Sequence, residues 1–92
     1  MHITCRWYGT LKAIVGSRES CLELPEGTTL GGLARALREA CGEEVYHLLG
    51  GDEPFGYLRV LVNGRDHFTL RALDTVLSPG DIVTFMPPMV GG

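Results

Sequence analysis

Residues 2–8 alternate, with Ile3, Cys5 and Trp7 on one side and His2, Thr4, Arg6 and Tyr8 on the other. That period of two is the signature of a half-buried strand. Gly9 and Gly16 bracket Thr10 to Val15, and the run from Glu19 to Leu24 sets Cys21 apart from Leu22 and Leu24. A second strand is predicted here, returning on the first through a connection longer than the two-residue ideal, with Cys5 and Cys21 facing each other across the pair. Pro25-Glu26-Gly27 turns the chain, and Thr29 offers a hydroxyl to the first free N–H groups of a helix. Leu30, Leu33, Ala34, Leu37 and Cys41 then recur at helical spacing, Arg35, Arg38 and Glu39 point away, and Gly42 supplies the stop. Gly31 and Gly32 cost that helix about 1 kcal/mol each against alanine. They either admit a close neighbour or mark a frayed first turn. Glu43 to Leu49 suits a further helical turn, and Gly50 to Gly56 reads as an irregular loop.

From Tyr57 the period returns to two, Leu58, Val60 and Val62 alternating with Arg59, Leu61 and Asn63. Asn63-Gly64 is a strong hairpin signal, because both residues accept positive φ. A short strand through Phe68 is expected after it. Leu70, Leu73 and Leu77 anchor a connection, Ser78-Pro79-Gly80-Asp81 turns, and Ile82 to Met86 forms the last strand, with Val83 and Phe85 facing inward. Strands around one amphipathic helix in so short a chain predict an α+β fold, a mixed sheet of about five strands wrapped around one main helix. The β-grasp, or ubiquitin-like, arrangement has this order of elements, with its first and last strands central and parallel.

Composition narrows the classes of function. With 92 residues, 45% apolar and 21% charged, the chain is a single soluble domain. Its net charge of -3, its single lysine and its scattered arginines argue against nucleic acid as a partner, which needs clustered cations. No apolar run approaches the ~20 residues of a membrane span, and no basic-then-apolar leader opens the sequence, so a cytoplasmic protein is expected. Cys5, Cys21 and Cys41 form no C-x-x-C pair and read as free thiols; Arg6 alone does not make a reactive cysteine's setting. His2, His47 and His67 have no ligand spacing, and no nucleophile–base pair stands out, so neither a metal site nor a catalytic site is expected. Trp7, Phe68 and Phe85 suit a core better than a stacking platform.

The chemistry lies in the last eight residues, Phe85-Met86-Pro87-Pro88-Met89-Val90-Gly91-Gly92. An apolar run stops at two prolines, which fix φ and donate no hydrogen bond, so residues 87–92 are expected to leave a folded domain of residues 1–86 as a flexible tail. Extended, six residues reach roughly 20 Å. Gly91 and Gly92 have no side chains, so they fit a slot too narrow for a Cβ and leave the terminal carbonyl open to attack. The alternative is a frayed terminus with no role.

Five segments carry a resemblance: Leu24-Pro25-Glu26-Gly27-Thr28-Thr29, Val60-Leu61-Val62-Asn63-Gly64-Arg65, Leu73-Asp74-Thr75, Pro79-Gly80-Asp81-Ile82-Val83 and Pro87-Pro88-Met89-Val90-Gly91-Gly92. In order and spacing the chain resembles the small subunit of molybdopterin synthase and its sulfur-carrier relatives, among them the thiamine sulfur carrier and the archaeal small modifier proteins. The long stretch before Val60 is more similar to the larger archaeal-type members. The resemblance implies a non-catalytic carrier that binds no cofactor stably. An adenylyltransferase of the ubiquitin-activating type would use ATP and Mg to adenylate the Gly92 carboxylate, and a sulfur donor would convert it to a thiocarboxylate. The tail, Pro87 to Gly91, would enter the large subunit of the synthase, with Met86, Leu61 and Ile82 forming a docking patch and Lys12 near the activating enzyme. Isolated surface apolar residues are the alternative for that patch. Val90 and Met89 are bulkier than is usual at their positions, which implies a wider partner channel or a different partner. The same thiocarboxylate would also serve tRNA thiolation, thiamine or cysteine synthesis, and a ubiquitin-like modifier joined through Gly92 to lysines remains an alternative, as does a plain interaction domain.

Overall fold

In the computed structural model, residues 1–49 and 58–87 are described, apart from the side chains of Leu48 and Phe68. Strands β1 (His2–Trp7), β2 (Glu19–Glu23), β3 (Arg59–Val62), β4 (Arg65–Asp66) and β5 (Ile82–Met86) form one sheet in the order β2-β1-β5-β3-β4. The first and last strands are central and parallel, Cys5 beside Val83 and Trp7 beside Phe85; every other pairing is antiparallel. This is the β-grasp fold expected from the sequence.

Alternation along each strand fills one face. Ile3, Cys5, Trp7, Val60, Val83 and Phe85 are at most 1% exposed, and Leu30, Leu33, Ala34 and Leu37 of helix α2 (Leu30–Cys41) close over them. Trp7 and Phe85 stack at a centroid distance of 4.6 Å, both in the core as expected. The start of α2 is set by Thr29, whose hydroxyl accepts the Gly32 N–H at 3.2 Å. Gly42 ends α2 at φ +92, a value open to glycine, and opens the next helix, α3 (Glu43–Leu48).

Three local features differ from the sequence reading. The connection between β1 and β2 contains a helix, α1 (Thr10–Val15), delimited by Gly9 at φ +61 and Gly16 at φ +84. Cys5 and Cys21 do not face each other: the register puts Cys5 opposite Ser20 and Cys21 opposite Thr4, so one thiol is buried and the other exposed on the outer face. The strand expected through Phe68 ends at Asp66. There Thr69 Oγ1 donates to the Asp66 carbonyl at 2.7 Å, and the chain enters a 3-10 turn, His67–Thr69, that buries His67 against the Val60 carbonyl at 3.3 Å.

The Asn63-Gly64 turn has the predicted positive φ at both residues, 51° and 85°. Asn63 also ties this hairpin to β5. Its Oδ1 accepts the Ile82 N–H at 2.9 Å, and its Nδ2 donates to Asp81 Oδ1 at 2.8 Å. The loop read at residues 50–56, the strand start at Tyr57, the Phe68 side chain and the tail from Pro88 to Gly92 lie outside the described residues.

Candidate functional site

The root of the tail is fixed from two sides. β5 runs between β1 and β3, and beyond the ladder the Tyr8 N–H donates to the Phe85 carbonyl at 3.1 Å. One residue further, the Pro87 ring packs on Gly9. A Cβ at Gly9 would lie 2.9 Å from Pro87 Cγ and 3.3 Å from Cδ, and the φ of +61 is itself disfavoured for any L side chain. The only residue type that fits both the backbone and the neighbour is the one present. The strand that buries Phe85 therefore aims Pro87 along the Gly9 turn.

The expected docking residues fall into two groups. Ile82, Thr84 and Met86 share the outer face of β5, and Leu61 on β3 stands opposite Thr84. Leu61, Ile82 and Met86 are half-buried and lie on one face, with Thr84 between them. Arg6, paired with Glu19 at 2.8 Å, and Arg59, 3.8 Å from Asp66, border them. Lys12 is not part of this face. It is exposed on α1 and lines a surface hollow with Trp7, Tyr8, Gly9 and Arg18, beside the tail's root. The sequence reading named Gly9 only as a bracket of Thr10 to Val15 and did not name Arg18. The glycine before a short helix and a stretch without acids from Tyr8 to Arg18 were the available signals.

The model for the ThiS family matches residues 6–92, nearly the whole chain and all of the tail. The chain belongs to the ThiS family. ThiS-family proteins of this kind are ubiquitin-like sulfur carriers. Among curated relatives, small archaeal modifier protein 3 of Haloferax volcanii is 28% identical over 92 residues, covering all of both chains. The solution structure of the Haloferax volcanii HVO 2177 protein is 28% identical, with a TM-score of 0.80 over all of this chain and 87% of that one. A chain in the complex of subunits 1 and 2 of molybdopterin-converting factor from Helicobacter pylori is 23% identical, with all of both chains covered and a TM-score of 0.63, a likeness of fold alone.

Cys5 of this ThiS-family chain lies in the core. Burial pushes the Cys5 thiol up from 9.0 to about 12, with smaller contributions from Cys41 and Cys21. Such a thiol stays protonated at neutral pH and is a poor nucleophile. His2 lies 2.6 Å from Glu23 on the exposed sheet edge. Among the described residues, no group of three His, Cys, Asp or Glu side chains could hold a metal ion, and no helix is long and apolar enough to cross a membrane.

Proposed function

We propose that this chain carries sulfur as a thiocarboxylate on Gly92. The observation that carries the reading is the family match running through residue 92, so that Gly91-Gly92 falls at the end of the matched region. In this reading an adenylyltransferase joins the Gly92 carboxylate to AMP at the expense of MgATP, releasing pyrophosphate. A sulfur nucleophile at the oxidation level of sulfide then displaces AMP from the carbonyl and leaves the thiocarboxylate. The chain supplies the handle and its tether, the enzyme the catalytic groups. Tethering replaces diffusion of free sulfide by local concentration at the acceptor.

For the acceptor, the sequence motifs favour a pterin precursor held by the large subunit of molybdopterin synthase, with Leu61, Ile82 and Met86 docking on that subunit. A second reading, conjugation through Gly92 to protein lysines, is favoured by the end-to-end similarity to a curated archaeal modifier protein. Both share the adenylation step; in the first the thiocarboxylate sulfur attacks the pterin precursor, and in the second a lysine amine attacks the activated Gly92 carbonyl and displaces its leaving group.

Intact mass of the chain co-expressed with the adenylating enzyme of its own cell tests whether the thiocarboxylate forms. A gain equal to exchanging one oxygen for sulfur, absent when Gly92 is deleted, is expected. An unmodified terminus beside an active enzyme and MgATP would overturn the reading. Once the mass gain is found, isopeptide-linked conjugates in cells would select the modifier, and sulfur transfer to a pterin the synthase subunit.

A further inference from the structure

Two primary amines stand on the chain. The one at Met1 donates to the Leu24 carbonyl at 2.6 Å and lies 3.6 Å from Glu23. The other belongs to Lys12, the only lysine in the sequence, which is exposed on α1 and has no ion pair among the described residues. Arg18, exposed just before β2, has none there either, whereas Arg6, Arg38 and Arg59 each face a carboxylate. No acidic residue precedes Glu19 in the sequence, and Glu19 is taken by Arg6 at 2.8 Å. Gly9, Lys12 and Arg18 together line two surface hollows. Two uncompensated cations thus share a surface with the glycine on which Pro87 packs.

We infer that these hollows form a binding site for a terminal carboxylate, and that the occupant is the chain's own tail. The inference rests on the reading of Gly92 as the working terminus and goes beyond it by saying where that terminus rests before a partner takes it. Three observations select this occupant. Residues 82–92 carry no charged side chain, so the terminal carboxylate is the tail's single charge and finds its opposite in Lys12 and Arg18. Five residues follow Pro87 and reach up to roughly 17 Å, whereas Lys12 lies one helical turn from Gly9, its N–H donating to the Gly9 carbonyl at 3.2 Å. The terminus has length to spare for reaching the Lys12 ammonium. So short a tether also holds the carboxylate at millimolar effective concentration, above that of a second copy's tail in dilute solution. The side chains of a second copy are poorer occupants still, because Glu19, Glu23, Glu43 and Asp66 already have partners. Exposed ion pairs are weak, so the tail exchanges, and a partner's channel withdraws it without breaking a core contact. A thiocarboxylate carries the same charge, and the same cations hold the loaded terminus.

The test is coupling of the full-length chain alone by a water-soluble carbodiimide at low salt, read by intact mass and by tryptic mapping. The carbodiimide captures a carboxylate oxygen as an O-acylisourea, and the neutral Lys12 amine attacks the Gly92 carbonyl. The C–N bond forms as the urea leaves with that oxygen and the amine's proton passes to buffer, so the chain becomes lighter by one water. A monomer of that mass is expected, with Lys12 of peptide 7–18 joined to Gly92 of peptide 72–92. Lys12→Arg removes the amine and should remove the product. Random collisions of a tethered end would also yield some of it, and Arg18→Glu separates the two, because it keeps the reacting amine. The yield should fall about threefold or more in Arg18→Glu, and likewise for wild type at about 1 M salt, while Arg35→Glu on α2, the same change of charge, stays near wild type. A yield indifferent to Arg18→Glu and to salt would reduce the product to collisions and overturn the site. A covalent dimer joined through the same two residues would give the site to a second copy's tail, and coupling of Lys12 only to side-chain carboxylates would leave the tail elsewhere; either overturns the inference. Exchange of oxygen for sulfur at Gly92 is read independently of all these outcomes, so the resting site can fall while the carrier reading stands.

Discussion

Gly9 joins two constraints at one residue, a backbone at φ +61 and a proline ring on the side where a Cβ would stand. Gly9→Ala therefore combines backbone strain with a contact of 2.9 Å to Pro87 Cγ. A loss of about 1–3 kcal/mol in unfolding free energy is expected, measured by urea denaturation. Pro87→Ala removes Cγ and Cδ, the two atoms the new methyl would meet. The double variant should thus lose less stability than the sum of the two single ones, because only the φ penalty survives. Additive effects would mean that the ring does not press on Gly9. This contact was hidden from a reading of the sequence, since glycine before a helix signals a turn but not which ring 78 positions later lies on it. The inward faces were open to that reading: Ile3, Cys5 and Trp7 needed only the period of two. Whether Cys21 faced Cys5 depended on register, which is set by backbone bonds such as Trp7 N–H to the Arg18 carbonyl at 2.9 Å.

At the scale of elements, α2 was legible in full because five apolar positions recur at its period and Thr29 and Gly42 punctuate it. Helix α1 was not, since six residues between glycines give too short a window for periodicity. The choice left open for Gly31 and Gly32, close approach or fraying, resolves differently for the two. A Cβ at Gly31 would reach the Leu73 carbonyl oxygen at 3.4 Å, an ordinary contact. One at Gly32 would lie 2.9 Å from the Thr28 methyl, and that side chain is held by its hydroxyl's hydrogen bond to the Pro25 carbonyl at 2.6 Å. Gly31→Ala should accordingly stabilise the protein by up to about 1 kcal/mol through helix propensity. Gly32→Ala should gain nothing or destabilise, because its methyl must displace a pinned neighbour. Thermal unfolding of the two variants distinguishes them, and equal shifts of the same sign would refute the role given to Thr28.

Across the whole molecule, the parallel pairing of β1 with β5 puts the last strand of the chain in the middle of the sheet. Among the described residues the buried core begins at Ile3 and ends at Phe85, so the two ends of the sequence meet in it. Stability and the proposed chemistry are thereby divided within eight residues of chain. Phe85→Ala empties space against Trp7 and should cost about 3–5 kcal/mol. Deleting Gly92 should leave the denaturation midpoint unchanged while abolishing the mass gain of the thiocarboxylate. A midpoint lowered by the deletion as much as by Phe85→Ala would place the terminus inside the fold, where no adenylating enzyme could reach its carbonyl.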